Sequence, residues 1–320
     1  MTKGTHSSWT VLVFSALFLS VAGMAGAQTP ISQNIDRAQL LRNEPPTLRD
    51  QSTGNAGGED NGVAAASPND PDLGEQAILK RADQYQAFTV VVSAPISYTS
   101  NVALSNTNEK SDNLFTPNFA IVYAPKITKN LFGVISLGQQ MFYYQRFESL
   151  DFGSFDARAG LTYNVPQWHN LILRGDYAFN RLTDRSFNEF FNSNAIDLGA
   201  ELPFRFGRAQ QLSIGVDASF NLASDPAPPG RNDYSFFAAY TVELARHLSV
   251  NAVFRLAVRD YTESSRIDVS EILALGATYN FTKWLSVNAI ATFATNDSNR
   301  DVFDYQVSNG GVALSTTFRF

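Results

Sequence analysis

The sequence predicts an all-β fold: a transmembrane, antiparallel up-and-down β-barrel of about twelve strands, preceded by a disordered N-terminal tail. Three observations carry this. From Phe88 onward, apolar and polar residues alternate in runs of about 11–14 residues, where strands of soluble sandwiches run nearer five or six and a tilted bilayer span needs about 9–11. The connections between runs are short and long in turn, so that a hairpin unit recurs about every 40 residues. Aromatic residues gather at the run ends, among them Tyr98, Tyr123, Tyr163, Tyr177, Phe179, Phe204, Phe220, Tyr234, Tyr240, Phe281, Trp284 and Phe293, as suits rings that sit at a membrane–water interface.

The chain divides into three parts. Residues 1–27 read as a secretory signal peptide: Lys3 gives a positive start, Val11–Ala22 is a short apolar core, and Ala25-Gly26-Ala27 offers a cleavage site. The apolar core is too short, and too interrupted by Ser15 and Ser20, for a membrane helix. Residues 28–87 read as a periplasmic low-complexity tail or linker, with five prolines, a Gly/Asn/Ala-rich stretch and one aromatic, Tyr85. Such a segment buries too little apolar surface to offset its chain entropy. Short helices are expected within it at 32–42 and 74–86; the second is weighed as a plug or docking helix against a plain linker, and the linker is preferred. Residues 88–320 are the barrel.

Within the barrel the expected strands are 88–100, 114–124, 131–146, 152–165, 170–182, 192–204, 210–222, 233–244, 248–260, 267–281, 284–295 and 307–320. The first sets Phe88, Val90, Val92, Ala94, Ile96 and Tyr98 against Thr89, Ser93, Ser97 and Thr99. The ninth sets Leu248, Val250, Ala252, Phe254, Leu256 and Val258 against Ser249, Asn251, Arg255 and Arg259. Side chains alternate across a strand, so each has an apolar and a polar face. Two strands are ambiguous: Gln139 and Gln140 put an amide on each face of the third, and in the tenth an outward Leu273, Leu275 and Tyr279 bring Glu271 with them. The short connections (APKITKNL, VPQWHNL, PFRFGRAQQL, ELARHLSV, NFTKWLSV) are expected at the periplasmic rim, and the long polar ones (SNTNEKSDN, RSFNEFFNSN, SDPAPPGRND, DYTESSR, NDSNRDVF) outside.

A soluble sandwich also alternates, but here the polar faces carry opposed charges at mid-strand, which suits a wet lumen. In lipid no backbone group can stay unpaired, so the sheet must close and the strand count should be even. The last strand places Val312, Leu314, Thr316, Phe318 and Phe320 on one face and ends on the aromatic. This resembles the C-terminal assembly signal of Gram-negative outer-membrane proteins, carried here by Val312, Leu314, Phe318 and Phe320. The resemblance implies an outer-membrane location, contact with outer-membrane lipid and lipopolysaccharide, and recognition by the barrel-assembly machinery. Among subfamilies the chain is similar to roughly twelve-stranded barrels of porin-like channels and of exopolysaccharide export.

Several functions are argued against. With no cysteine there is no disulfide framework, thiolate metal site, cysteine nucleophile or lipid-bearing cysteine. A net charge of −6 argues against a nucleic-acid partner. His169 and His247 fall in short turns, and His247-Leu248-Ser249 is similar to the His-x-Ser pair of outer-membrane phospholipases only as a tripeptide, at the wrong rim. Catalytic motifs are absent from the sequence, so no enzyme and no cofactor is expected. Asp225, Asp233, Asp297, Asp301 and Asp304 are read as a solvated loop surface in preference to a cation site. The candidate functional residues are the lumenal charges: Asp156, Arg158, Arg174, Asp176, Asp197, Glu201, Asp217, Glu243, Arg255 and Arg259. They either line an aqueous pore or pair across a packed lumen. The function expected first is a passive channel for ions or small hydrophilic solutes. The alternative is a structural, assembly or export-complex barrel whose periplasmic tail docks a partner. An autotransporter is disfavoured, because about 60 low-complexity residues make a short passenger.

Overall fold

The computed structural model describes residues 30–41, 85–206 and 209–320; the expected signal peptide and residues 74–84 of the helix expected at 74–86 lie outside them, and Tyr85 and Gln86 are not helical. One helix, α1 (Pro30–Leu40), precedes thirteen strands: β1 (Phe88–Thr99), β2 (Asp112–Phe115), β3 (Asn118–Tyr123), β4 (Leu131–Tyr144), β5 (Phe152–Val165), β6 (Leu171–Asp184), β7 (Glu189–Phe206), β8 (Gln210–Asp225), β9 (Arg231–Ala245), β10 (Leu248–Tyr261), β11 (Ile267–Asn280), β12 (Leu285–Ser298) and β13 (Tyr305–Arg319). Neighbours in sequence pair antiparallel around one sheet, and β13 pairs back onto β1. Because β2 and β3 lie end to end between β1 and β4, the thirteen strands make twelve crossings of a closed barrel.

The gap between β2 and β3 is where the expected strand 114–124 breaks. Pro117 has no N–H to give to the ladder, and the chain bends there. The backbone is still paired around the gap, with Thr116 N–H donating to Pro95 O at 3.0 Å and Met141 N–H donating to Pro117 O at 3.0 Å. Elsewhere the expected strands appear within a few residues. The largest difference is in the long connection RSFNEFFNSN, where only Arg185–Asn188 turn and β7 starts at Glu189. Asp184 makes so tight a turn feasible: its Oδ1 accepts from the N–H of Ser186 at 2.8 Å and of Asn188 at 2.9 Å.

Two of the short turns share the motif Thr-Lys-x-Leu and one construction. The Thr128 hydroxyl accepts from Leu131 N–H at 3.1 Å, and the Thr282 hydroxyl accepts from Leu285 N–H at 2.9 Å. In each, the leucine carbonyl then takes the threonine's own N–H, at 3.0 Å and 3.2 Å respectively.

The apolar face points outward on every strand. Ile96, Leu161, Val216, Leu275, Val312 and Leu314 are exposed, while Thr89, Ser93, Ser154, Ser213, Asp268 and Ser270 on the opposite face are buried. This inverts the pattern of a soluble barrel and is what a lipid surround requires. Aromatic pairs mark both edges of the outward band: Phe88–Tyr123 at 4.4 Å and Trp284–Phe318 at 6.2 Å near the short turns, and Phe115–Tyr143 at 6.4 Å and Phe220–Tyr234 at 5.8 Å near the long loops. Both ambiguous strands are resolved. Gln140 is buried inside, whereas Gln139 lies on the outward face and hydrogen-bonds Met141 Sδ at 3.4 Å. Glu271 lies outward, exposed between Val269 and Leu273.

The seam is the pairing of β1 with β13, from Thr89 opposite Arg319 to Thr99 opposite Asn309. Phe88 and Phe320 close its end, with Phe320 N–H donating to Phe88 O at 2.9 Å and Phe88 N–H donating to Phe320 O at 3.2 Å. Deleting Phe318–Phe320 leaves the Phe88 end of β1 paired only with β3, with its seam side open at the lipid boundary. That deletion is expected to lower the amount of assembled barrel, read as the fraction that migrates anomalously on a gel unless boiled; an unchanged fraction would refute this account of the seam.

Candidate functional site: a lumen capped by a helix

Helix α1 stands inside the barrel at the long-loop rim. Pro30 suits a first helical position, where a missing N–H costs nothing. Ile31, Ile35 and Ala38 then recur at helical spacing and share one face. That face packs on Leu114, Phe142, Phe152, Leu182 and Phe191, inward residues from the ends of five strands, with the Phe142 and Phe152 rings stacked at 4.1 Å. Another side carries Leu40, which joins Leu104, Ala294, Tyr305 and Val307. A helix with partners on several faces is enclosed by the wall, not laid on it.

The polar residues of α1 are as deeply placed as its apolar ones. Asp36 Oδ1 accepts from Arg231 at 2.7 Å and from Arg259 at 3.3 Å, and all three side chains are buried. Arg231 also donates to Gln39 Oε1 and, at 3.0 Å, to the Tyr261 hydroxyl, and it pairs with Asp233 at 3.1 Å. Arg37, next to the helix C-terminus where a cation is favoured, donates to the Thr99 hydroxyl at 2.8 Å, Asn309 Oδ1 at 3.2 Å, Val102 O at 3.0 Å and Asn101 O. The Leu41 carbonyl accepts from Gln140 at 3.0 Å. Burial pushes the Asp36 pKa up, but Arg259 and Arg231 outweigh it and hold the carboxyl below its ordinary value. Removing Asp36 would break two buried ion pairs, leaving Arg231 with Asp233 and Arg259 with the neutral Asn296, and loss of one partner of a buried pair typically costs about 3–5 kcal/mol.

Beneath α1, toward the short turns, lies a cavity of about 1580 Å³ with Gln39 and Leu40 in its lining. It runs along β10–β13 and β1 to His247, Lys283 and Arg319 at the short-turn rim. Its wall is mostly small and neutral. Thr278, Asn288, Ser315 and Ser93 form a hydrogen-bonded belt across it, each link 2.8 Å. Its charged lining is Arg255, Lys283 and Arg319, with no carboxylate among the described lining residues.

All ten lumenal charges expected from the sequence fall on the inward register of their strands. The structure sorts them into groups. On β5–β8, Arg174 pairs with Asp217 at 2.8 Å and Arg158 with Asp197 at 3.5 Å, each pair reaching across an intervening strand. Asp156 accepts from Asn180 at 2.8 Å, Asp176 lies over Gly160, and Glu201 is buried in the same wall. Glu243 sits at the short-turn end of β9, opposite Ser249. Arg255 lines the cavity, and Arg259 belongs to the helix socket. The residues that sequence reasoning missed are Asp36, Arg37, Gln39 and Arg231. A helix at 32–42 was legible, but nothing in its sequence names partners lying 62 to 272 residues away. Among the acidic loop residues, Asp233 is an inward partner of Arg231, Asp304 accepts from Ser298 N–H at 2.7 Å, and no metal-binding group is present among the described residues. His247 packs against Tyr279 at 6.4 Å, away from the inward Ser249.

Residues 177–318 match the family model described as "Putative beta-barrel porin 2". Among solved structures, an outer membrane channel from Pseudomonas putida F1 superposes with a TM-score of 0.51 at 11% identity, over 73% of this chain and 96% of that one. The fold is that of an outer-membrane porin-like barrel. The KdgM porin (TM-score 0.40, 8% identity, 71% of this chain and 99% of that one) and the translocator domain of the autotransporter NalP from Neisseria meningitidis (0.44, 12%, 91% and 97%) are further neighbours. No curated protein sequence matches the chain.

Gly199 shows how tightly the charged wall of this barrel is packed. A Cβ there would stand 2.6 Å from Asp217 Oδ1 and 3.2 Å from Arg174 Nε. Gly199→Val is therefore expected to part the Arg174–Asp217 pair and destabilise the barrel by about 1–3 kcal/mol. The check is the temperature at which the folded gel form is lost; no change would contradict the packing described.

Proposed function

We propose that the protein is a passive outer-membrane channel for ions or small hydrophilic solutes, and that it is not an enzyme. The observation that carries this is the cavity of about 1580 Å³, lined by both polar and small apolar residues, which extends from the short-turn rim and ends at α1, a segment of the chain that is not part of the wall. A barrel packed solid by its own strands would leave no such volume. In this reading the short turns and the approach to Phe88 face the periplasm, the long loops face outward beside lipopolysaccharide, and the β5–β8 ion pairs stiffen one wall while the β10–β13 wall conducts. The signal peptide at 1–27 and recognition of the last strand by the barrel-assembly machinery belong to the same reading. The filled mouth also favours a second reading, a silent structural or export-complex barrel whose segment 28–87 docks a periplasmic partner.

Planar-bilayer conductance separates the two. The purified barrel with α1 is expected to be nearly closed, and a variant lacking residues 28–41 is expected to show discrete conductance steps. A truncated barrel that folds, as judged by its gel migration, and yet stays silent would overturn the channel reading.

A further inference from the structure

We propose that Arg231 and Arg259 form a binding site for carboxylate-bearing solutes, which α1 fills with its own Asp36, and that such a solute opens the channel by taking Asp36's place. This rests on the channel reading above and adds the ligand class and the means of opening.

The geometry of the pair supports exchange. One oxygen of Asp36 serves both guanidiniums, at 2.7 Å and 3.3 Å, while Oδ2 has no hydrogen-bond partner among the described residues. With its backbone held in the helix, Asp36 meets both arginines through one oxygen. A free carboxylate can give one oxygen to each arginine, the arrangement that guanidinium–carboxylate pairs favour. The socket is otherwise well built: Tyr261 and Asp233 hold Arg231, and Asn296 accepts from Arg259 at 3.3 Å. Both arginines belong to the wall strands β9 and β10 and not to the helix.

The charged residues that line the cavity are of one sign, although Glu243 stands inward at the same rim on β9. Lys283 and Arg319 stand at the short-turn rim, Arg255 lines the cavity, and no described lining residue is acidic. Arg255 and Arg259 share the inward face of β10, four residues and so about 13 Å apart along the strand. Gln39 is the last side chain before the socket: it lines the cavity and takes a hydrogen bond from Arg231. An anion that follows the β10–β13 side of the cavity passes Lys283 and Arg319 and then Arg255, and a low-dielectric wall strengthens their pull.

The test is planar-bilayer recording of the full exported chain with succinate, against uncharged succinamide at matched ionic strength. Succinate on the short-turn side is expected to raise the open fraction by about tenfold or more, the scale of one charge-assisted hydrogen bond exchanged, and succinamide to do nothing. Asp36→Asn is expected to be open without succinate. Arg231→Gln with Arg259→Gln, shown to be folded by gel migration, is expected to lose the difference between the two solutes. If the barrel lacking residues 28–41 conducts but the full chain answers neither solute, or both alike, the carboxylate site is overturned and the channel reading stands. If the truncated barrel is silent, both fall.

Discussion

Everything in this structure depends on one constraint: a backbone surrounded by lipid must satisfy its hydrogen bonds within the sheet. Twelve crossings satisfy each other in sequence, and only β1 and β13 would be left with an open edge. Their pairing, ending on the reciprocal hydrogen bonds of Phe88 and Phe320, removes it. Closure fixes which face of every strand meets lipid, and therefore places the serines, asparagines and charges inside. The lumen is a consequence of the seam.

Inside, the wall is divided in two. On β5–β8, arginines and carboxylates reach across an intervening strand to pair, Arg174 and Asp217 over Gly199, and that side is packed. On β10–β13 and β1, short neutral side chains bond along the wall and leave volume. The separation explains how a barrel of intermediate size can be both stiffened by ion pairs and hollow. Above the hollow, α1 contributes an apolar face to the cluster around Phe142 and Phe152, and a carboxylate to two arginines that would otherwise be buried without it. The same contacts that hold the helix in place define the chemistry of whatever could replace it.

The barrel was largely legible in the sequence because a strand's side-chain period is two and lipid makes the pattern unambiguous: Val312, Leu314, Phe318 and Phe320 could only face one way. The break in the second crossing was legible in principle, at Pro117, but alternation on either side of it concealed the gap. Of the candidate site, inwardness could be read and partnership could not. Arg259 was found as a lumenal charge, yet its partner Asp36 lies in a stretch whose composition suggested no fixed structure. A helix of eleven residues is marginal alone, and α1 is held by contacts with strand ends far along the chain, which no local pattern encodes.

The central claim is that α1 lies inside the barrel, against the strand ends of the long-loop rim. The chain has no cysteine, so a pair can be introduced cleanly: Ala38→Cys on the helix and Phe191→Cys on β7, which share one core cluster. A short bifunctional thiol reagent applied to the folded protein in its membrane should join them within a single chain. Failure to cross-link in the folded barrel, with the cysteine at 38 freely labelled by a bulky membrane-impermeant reagent, would place the helix outside and contradict the account.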